Sequence, residues 1–123
     1  MVVNQGDLFW IDLAEPIGSA PGFSRPHVIV QNNALNHRLN TVMACPLTTN
    51  LRRATDLGNV RLSEGEGGLS KESVVVVSQV MTFDKSELRE YIGALPAKRV
   101  SAVLDGISQS IAPREYEEKP NVD

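Results

Sequence analysis

A chain of 123 residues with 41% hydrophobic content can build one domain around one core, and its length gives no reason for two. No run approaches the ~18 apolar residues of a membrane span, and no basic stretch precedes a signal-type apolar one, so the cytoplasm is the default expectation. The net charge of -3 argues against non-specific coating of nucleic acid, and a lone cysteine, Cys45, excludes an internal disulfide and leaves no thiol pair for a metal.

In chain order, Gly6-Asp7 reads as a turn into a first strand, Leu8 to Leu13. Phe9, Ile11 and Leu13 fall on one face and Leu8, Trp10 and Asp12 on the other. From Ala14 to Ser24 the residues Pro16, Gly18, Pro21 and Gly22 break regular backbone, giving a loop that can act as a flap over a neighbouring site. Short β-branched segments follow at His27 to Gln31, Thr41 to Leu47 and Asn59 to Leu62, with Cys45 expected as a core thiol. Ser63 to Gly68 is a turn. Ser73 to Val80, with four consecutive valines, is expected to run as one strand through the centre of the sheet with both faces covered. The short connections make these about five strands mostly antiparallel.

The period then changes. Asp84 with Glu87 forms a capping box that should open a short helix reaching about Tyr91. Pro96 suits the first turn of a second helix, in which Val100, Val103, Leu104, Ile107 and Ile111 make an apolar stripe, and Pro113 ends it. The fold class is thus mainly β with helices (α+β), one domain over residues 1–112 and an acidic tail over 113–123.

Charge is unevenly spread. Residues 16–55 hold no Asp or Glu but carry Arg25, Arg38, Arg52 and Arg53, so this stretch is +4 and the remainder -7. A polyanion would be drawn to one face and repelled elsewhere. Arg25-Pro26 heads one apolar strand and Thr48-Thr49 closes the next, which can bring a guanidinium and a hydroxyl to one sheet edge, the chemistry of a phosphodiester site. Alternation lets only one of Thr48 and Thr49 face that site. His27 shares the strand face of Arg25 and has the intrinsic pKa of a general base, or it is a satisfied core histidine. His37 is a ligand contact or simply exposed.

The ordered series Gly6-Asp7-Leu8-Phe9-Trp10-Ile11-Asp12-Leu13, Gly18-Ser19, Arg25-Pro26-His27-Val28-Ile29-Val30-Gln31-Asn32, Pro46-Leu47-Thr48-Thr49 and Gln79-Val80-Met81-Thr82-Phe83-Asp84 resembles the MazF/PemK group of bacterial toxin endoribonucleases, from about residue 5 to residue 111. The resemblance implies a small SH3-like β-barrel decorated by helices, a homodimer, and cleavage of single-stranded RNA at short motifs. It also implies restraint by a cognate, MazE-like antitoxin, which could lay an acidic segment across the arginine-bearing loops.

The family's functional positions fall on Arg25 and Thr48, suited to attack by the RNA 2′-hydroxyl on the adjacent phosphate with no cofactor or metal. Substrate contacts are expected from Gly18, Ser19, Phe23, His27, Asn36, Arg38, Thr49, Arg52, Arg53, Ser78 and Gln79. Phe23 would stack on a base or plug the core. Two departures bear on specificity: many relatives carry Glu-Gln where this chain has Ala20-Pro21, and some carry an acidic residue where it has Ser78. CcdB-like toxins, which bind DNA gyrase, share the fold and supply a second reading. A silent SH3-like binding module is a third.

Overall fold

Apolar residues run nearly unbroken through the first strands, and the computed structural model, which describes residues 1–12, 24–114 and 118–120, shows why. Leu8 and Val28 enter one core cluster while their chain neighbours Phe9 and Ile29 enter another, so the sheet is buried on both faces. The first cluster also takes Cys45, Leu47, Val75 and Val103, and the second takes Ile11, Val42, Ala44 and Leu88. Burial pushes the Cys45 thiol up to about 12, as befits a core residue.

Seven strands form the sheet: β1 (Asp7–Asp12), β2 (Ser24–Ile29), β3 (Thr41–Thr48), β4 (Val60–Leu62), β5 (Ser73–Val75), β6 (Met81–Asp84) and β7 (Leu88–Ala94). The order is β4-β5-β3-β2-β1-β7, with β6 also paired to β3, and every pairing is antiparallel. β3 is the spine. Ala44 to Pro46 pair with β2, Thr41 to Ala44 with β6, and Leu47 and Thr48 with β5. The end strands β4 and β7 do not pair, so the barrel stays open. The turn Glu66–Gly68 comes up against β7 there, so closely that a Cβ on Gly93 would lie 2.1 Å from the carbonyl oxygen of Gly67.

Two helices complete the described residues, α1 (Asn33–Asn36) and α2 (Ala97–Ser110). In α2, Val100, Val103, Leu104 and Ile107 pack on the first cluster, whereas Ile111 falls beyond the helix and is 75% exposed. A mid-helix glycine costs about 1 kcal/mol relative to alanine. Gly106 is there because the helix touches the turn at Gly58: a Cβ would sit 2.0 Å from the Gly58 carbonyl oxygen.

Four expectations change, the first being the strand count, since β6 and β7 bring the expected five strands to seven. The four valines are buried as expected, but the strand stops at Val75, and a 3₁₀ turn, Val77–Gln79, follows, with the Val77 N–H donating to Asn59 Oδ1 at 3.1 Å. The Asp84/Glu87 capping box is present, yet it closes only a 3₁₀ turn, Lys85–Glu87, and the helix expected to Tyr91 is instead strand β7. Pairing with β1, including Phe9 opposite Tyr91, overrides the local start signal. The short helix α1 was not expected; its N-cap Asn32 accepts from the Ala34 N–H at 2.7 Å.

Candidate active site

The β2–β3 register ends at His27 opposite Pro46, with Arg25 two residues before and Thr48 two residues beyond that last pair. Both border an open groove of about 900 Å³, as do Thr49 and Asn50 just past β3. Trp10 of β1, Glu90 and Tyr91 of β7, Ser73 of β5 and Lys71 just before β5 also line it. Residues far apart in the chain meet here because β1 lies between β2 and β7, and β5 lies beside β3.

The groove offers a mixed but mainly cationic set of groups. Thr48 Oγ1 accepts from the Asn50 N–H at 3.1 Å, which leaves its hydroxyl hydrogen for a ligand. Arg25 is half-buried and Thr49 exposed. Neither the Lys71 ammonium nor the Glu90 carboxylate has a hydrogen bond or ion pair among the described residues. At the rim, Asp12 is held by the Ser24 hydroxyl and by Arg89 at 3.2 Å, which lower its pKa and occupy its oxygens. Glu90 is therefore the carboxylate that the described lining leaves available. No three His, Cys, Asp or Glu side chains gather as a metal site among the described residues.

Other expected contacts lie elsewhere. His27 is 2% exposed, packs edge-on against Phe83 with centroids 5.2 Å apart, and its Nδ1 is 3.0 Å from the Arg25 carbonyl oxygen. It is the satisfied core histidine, not a substrate contact, and burial lowers its pKa. Asn36 is fully buried: its Nδ2 donates to the Gln31 carbonyl at 2.8 Å and to Asn33 Oδ1 at 3.1 Å, and its Oδ1 accepts from Gln31 Nε2 at 2.9 Å. Its polar groups are consumed by the fold, which leaves none for a ligand.

Arg53 is clamped by Asp56 at 2.7 Å. It and Arg52 sit on the 3₁₀ turn Leu51–Thr55, next to the groove but outside its lining. Arg38, exposed after α1, and Ser78 and Gln79, exposed on the Val77–Gln79 turn, are also outside the lining. Gly18, Ser19 and Phe23 fall outside the described residues.

Reading the chain did not single out Lys71, Glu90 or Tyr91. Each looks like an ordinary strand or turn residue until sheet order brings it to the same groove as Trp10 and Arg25. No local signal marks them: Lys71 is followed at once by Glu72, and Glu90 stands beside Arg89.

A sequence model described as the PemK-like, MazF-like toxin of type II toxin–antitoxin systems matches residues 4–111. Endoribonuclease MazF2 of Mycobacterium bovis is 35% identical over 108 residues, 87% of this chain and 95% of the relative. Endoribonuclease MazF of Staphylococcus saprophyticus is 31% identical over 110 residues, 89% of this chain and 92% of the relative. Among solved structures, a mycobacterial endoribonuclease in complex with its cognate antitoxin superposes with a TM-score of 0.74 over 92% of this chain and 99% of that one, at 23% identity. A MazE-MazF structure from Deinococcus radiodurans gives 0.73 over 90% and 96%, also at 23% identity. At such identity these two likenesses concern the fold. None of the described helices is long and apolar enough to cross a membrane.

Proposed function

Because the chain belongs to the family of PemK-like, MazF-like toxins of type II toxin–antitoxin systems, we propose that it is a toxin endoribonuclease that cuts single-stranded RNA in the cytoplasm. The observation that carries this reading is the meeting of Arg25, Thr48 and Lys71 on one groove. In the reaction, the ribose 2′-oxygen bonds to the adjacent phosphorus, the bond to the 5′-oxygen breaks, and the proton of the 2′-hydroxyl is matched by one delivered to the leaving oxygen. The products are a 2′,3′-cyclic phosphate and a 5′-hydroxyl.

Negative charge grows on the non-bridging oxygens as phosphorus becomes five-coordinate. The Arg25 guanidinium can donate to two of them in parallel, and the Thr48 hydroxyl to another or to the attacking oxygen. A preorganised donor of this kind is worth about a hundred- to a thousandfold in rate. Lys71 then serves a neighbouring phosphate as a point charge. The nucleophile belongs to the substrate, so no metal is required to generate it.

The catalytic unit is residues 1–112, with 113–123 as an acidic extension. Two copies pair, and a cognate antitoxin blocks the groove by presenting acidic groups to the same cations. Relatives named as endoribonucleases and antitoxin complexes among the structural neighbours support this reading. Nothing in these likenesses favours gyrase binding.

The test is incubation of the chain and of Arg25→Ala with a long single-stranded RNA in EDTA, followed by mapping of the cut ends. Cyclic-phosphate and 5′-hydroxyl ends made by the unaltered chain and lost in the variant are expected. Absence of cleavage across varied sequences would sink the nuclease reading, and cleavage undiminished in Arg25→Ala would remove Arg25 from the chemistry.

A further inference from the structure

A carboxylate in a groove that binds polyanions is a liability. It repels every phosphate that passes, and Glu90 has no arginine or lysine partner among the described residues to cancel it. Four other acids, Asp12, Asp56, Glu66 and Glu72, each face an arginine at 3.2 Å or closer, and among the acids without such a partner Glu90 is the one that lines the groove. Glu90 thus weakens phosphate binding unless it contributes some compensating contact.

Its neighbours suggest which. Trp10 is half-buried and lines the same groove, and it pairs with Pro26 across the strand, so an indole and a pyrrolidine ring lie side by side. β7 is irregular at this point: Leu88 pairs with Ile11 and Tyr91 with Phe9, leaving Arg89 and Glu90 together opposite Trp10. An aromatic surface beside an acceptor-only group is a site for a nucleobase that stacks on the ring and offers a hydrogen-bond donor at its edge.

On the premise that the groove holds single-stranded RNA, we propose that Trp10 and Glu90 form a nucleobase subsite that stacks one base on the indole and reads its exocyclic amino group with the carboxylate. Cytosine and uracil separate this from plain stacking, because they have the same size. Cytosine presents an amino donor where uracil presents a carbonyl, and a carboxylate accepts from the first and is repelled by the second. The subsite therefore favours cytosine over uracil.

Trp10 is the single tryptophan of the chain, so its fluorescence reports this subsite directly. The experiment is a titration with oligo-deoxyuridine and with the same oligomer carrying one deoxycytidine; neither has the 2′-hydroxyl needed for cleavage. The expected result is quenching of Trp10 by both, with the cytosine oligomer bound about 10- to 100-fold tighter. Glu90→Ala should bring the two affinities together, and Glu90→Lys, which turns an acceptor into a donor, should invert the order. Both variants change an exposed side chain on an end strand, and a thermal melt checks that they fold.

Equal affinities in the unaltered chain, a preference that survives Glu90→Ala, or binding without quenching would each overturn the proposal. So would uniform loss of RNA cleavage in Glu90→Ala with the cytosine preference intact, which would make Glu90 a proton carrier. The readout does not need catalysis: a chain that shows the preference but cuts no RNA leaves the subsite standing and removes the nuclease reading alone.

Discussion

The groove and the corner around α1 are built from similar polar residues, yet they spend them in opposite ways. At the corner, Gln31 and Asn36 are buried and bond to each other, Gln31 Nε2 reaches the Thr41 carbonyl at 2.8 Å, and Lys85 Nζ donates to the Asn36 carbonyl. Asn33 Oδ1 takes the Gln5 N–H at 2.6 Å, which ties the N-terminal segment in as well. In the groove, the Lys71 ammonium, the Glu90 carboxylate and the Thr48 hydroxyl hydrogen are left for something else. A polar side chain whose bonds are all made internally is architecture; one held in place with bonds unmade is where a ligand can bind.

The largest effect that should separate the two regions comes from Arg25→Ala. Cleavage should fall about a hundred- to a thousandfold while the urea midpoint moves little. Single-turnover cleavage and urea melts on the same samples check this. A collapse of stability to match the activity would place Arg25 with the corner.

Asn36→Ala should do the reverse. Removing its amide strands Gln31 in the core, and a loss of about 2–3 kcal/mol of unfolding free energy is expected, with full cleavage per folded molecule. Urea denaturation gives the first quantity and active-site titration the second. If Asn36→Ala altered the cut sites at unchanged stability, the assignment of Asn36 to architecture would fail.

Lys71→Ala should be smaller still. RNA binding weakens, and the slope of log affinity against log salt becomes shallower by about 0.7, the contribution of one phosphate on a single strand. Arg53→Ala, whose guanidinium is already engaged by Asp56, should leave that slope closer to its original value. Equal changes in the two variants would erase the distinction between free and neutralised cations.

The same contrast explains what could be read from the chain. β1, β2, β3 and α2 were legible because short apolar, β-branched runs and helical apolar spacing follow from burial alone. β7 was not, since a true capping box at Asp84 announced a helix that pairing with β1 replaced after one turn. Arg25 and Thr48 stood out as a charged strand head and a hydroxyl strand end. Glu90 and Lys71 did not, because their meaning lies in sheet order, which local pattern does not carry. His27 and Asn36 erred the other way: polarity marked them as contacts, and only burial reveals that their bonds are already made.

His27 gives the finest test, through pH. Burial lowers its folded-state pKa below the ordinary 6.5, while the unfolded chain titrates at that ordinary value. Between those two values the unfolded state binds more protons, so stability rises with pH there. The contribution is complete above 6.5 and is lost progressively as pH falls below it. Asp12, Glu66 and Asp84, whose carboxyls are lowered by Ser24, Arg99 and Ser86 respectively, lose their contributions only below their ordinary values of 3.8 to 4.5, a separate window. Urea midpoints measured from pH 7 down to about 5.5 should decline in the unaltered chain and decline less in His27→Gln. Because only the slopes are compared, any constant cost of the substitution drops out. A parallel decline in both proteins would mean that His27 takes up protons alike in the folded and unfolded states, and would overturn burial as the cause of its lowered pKa.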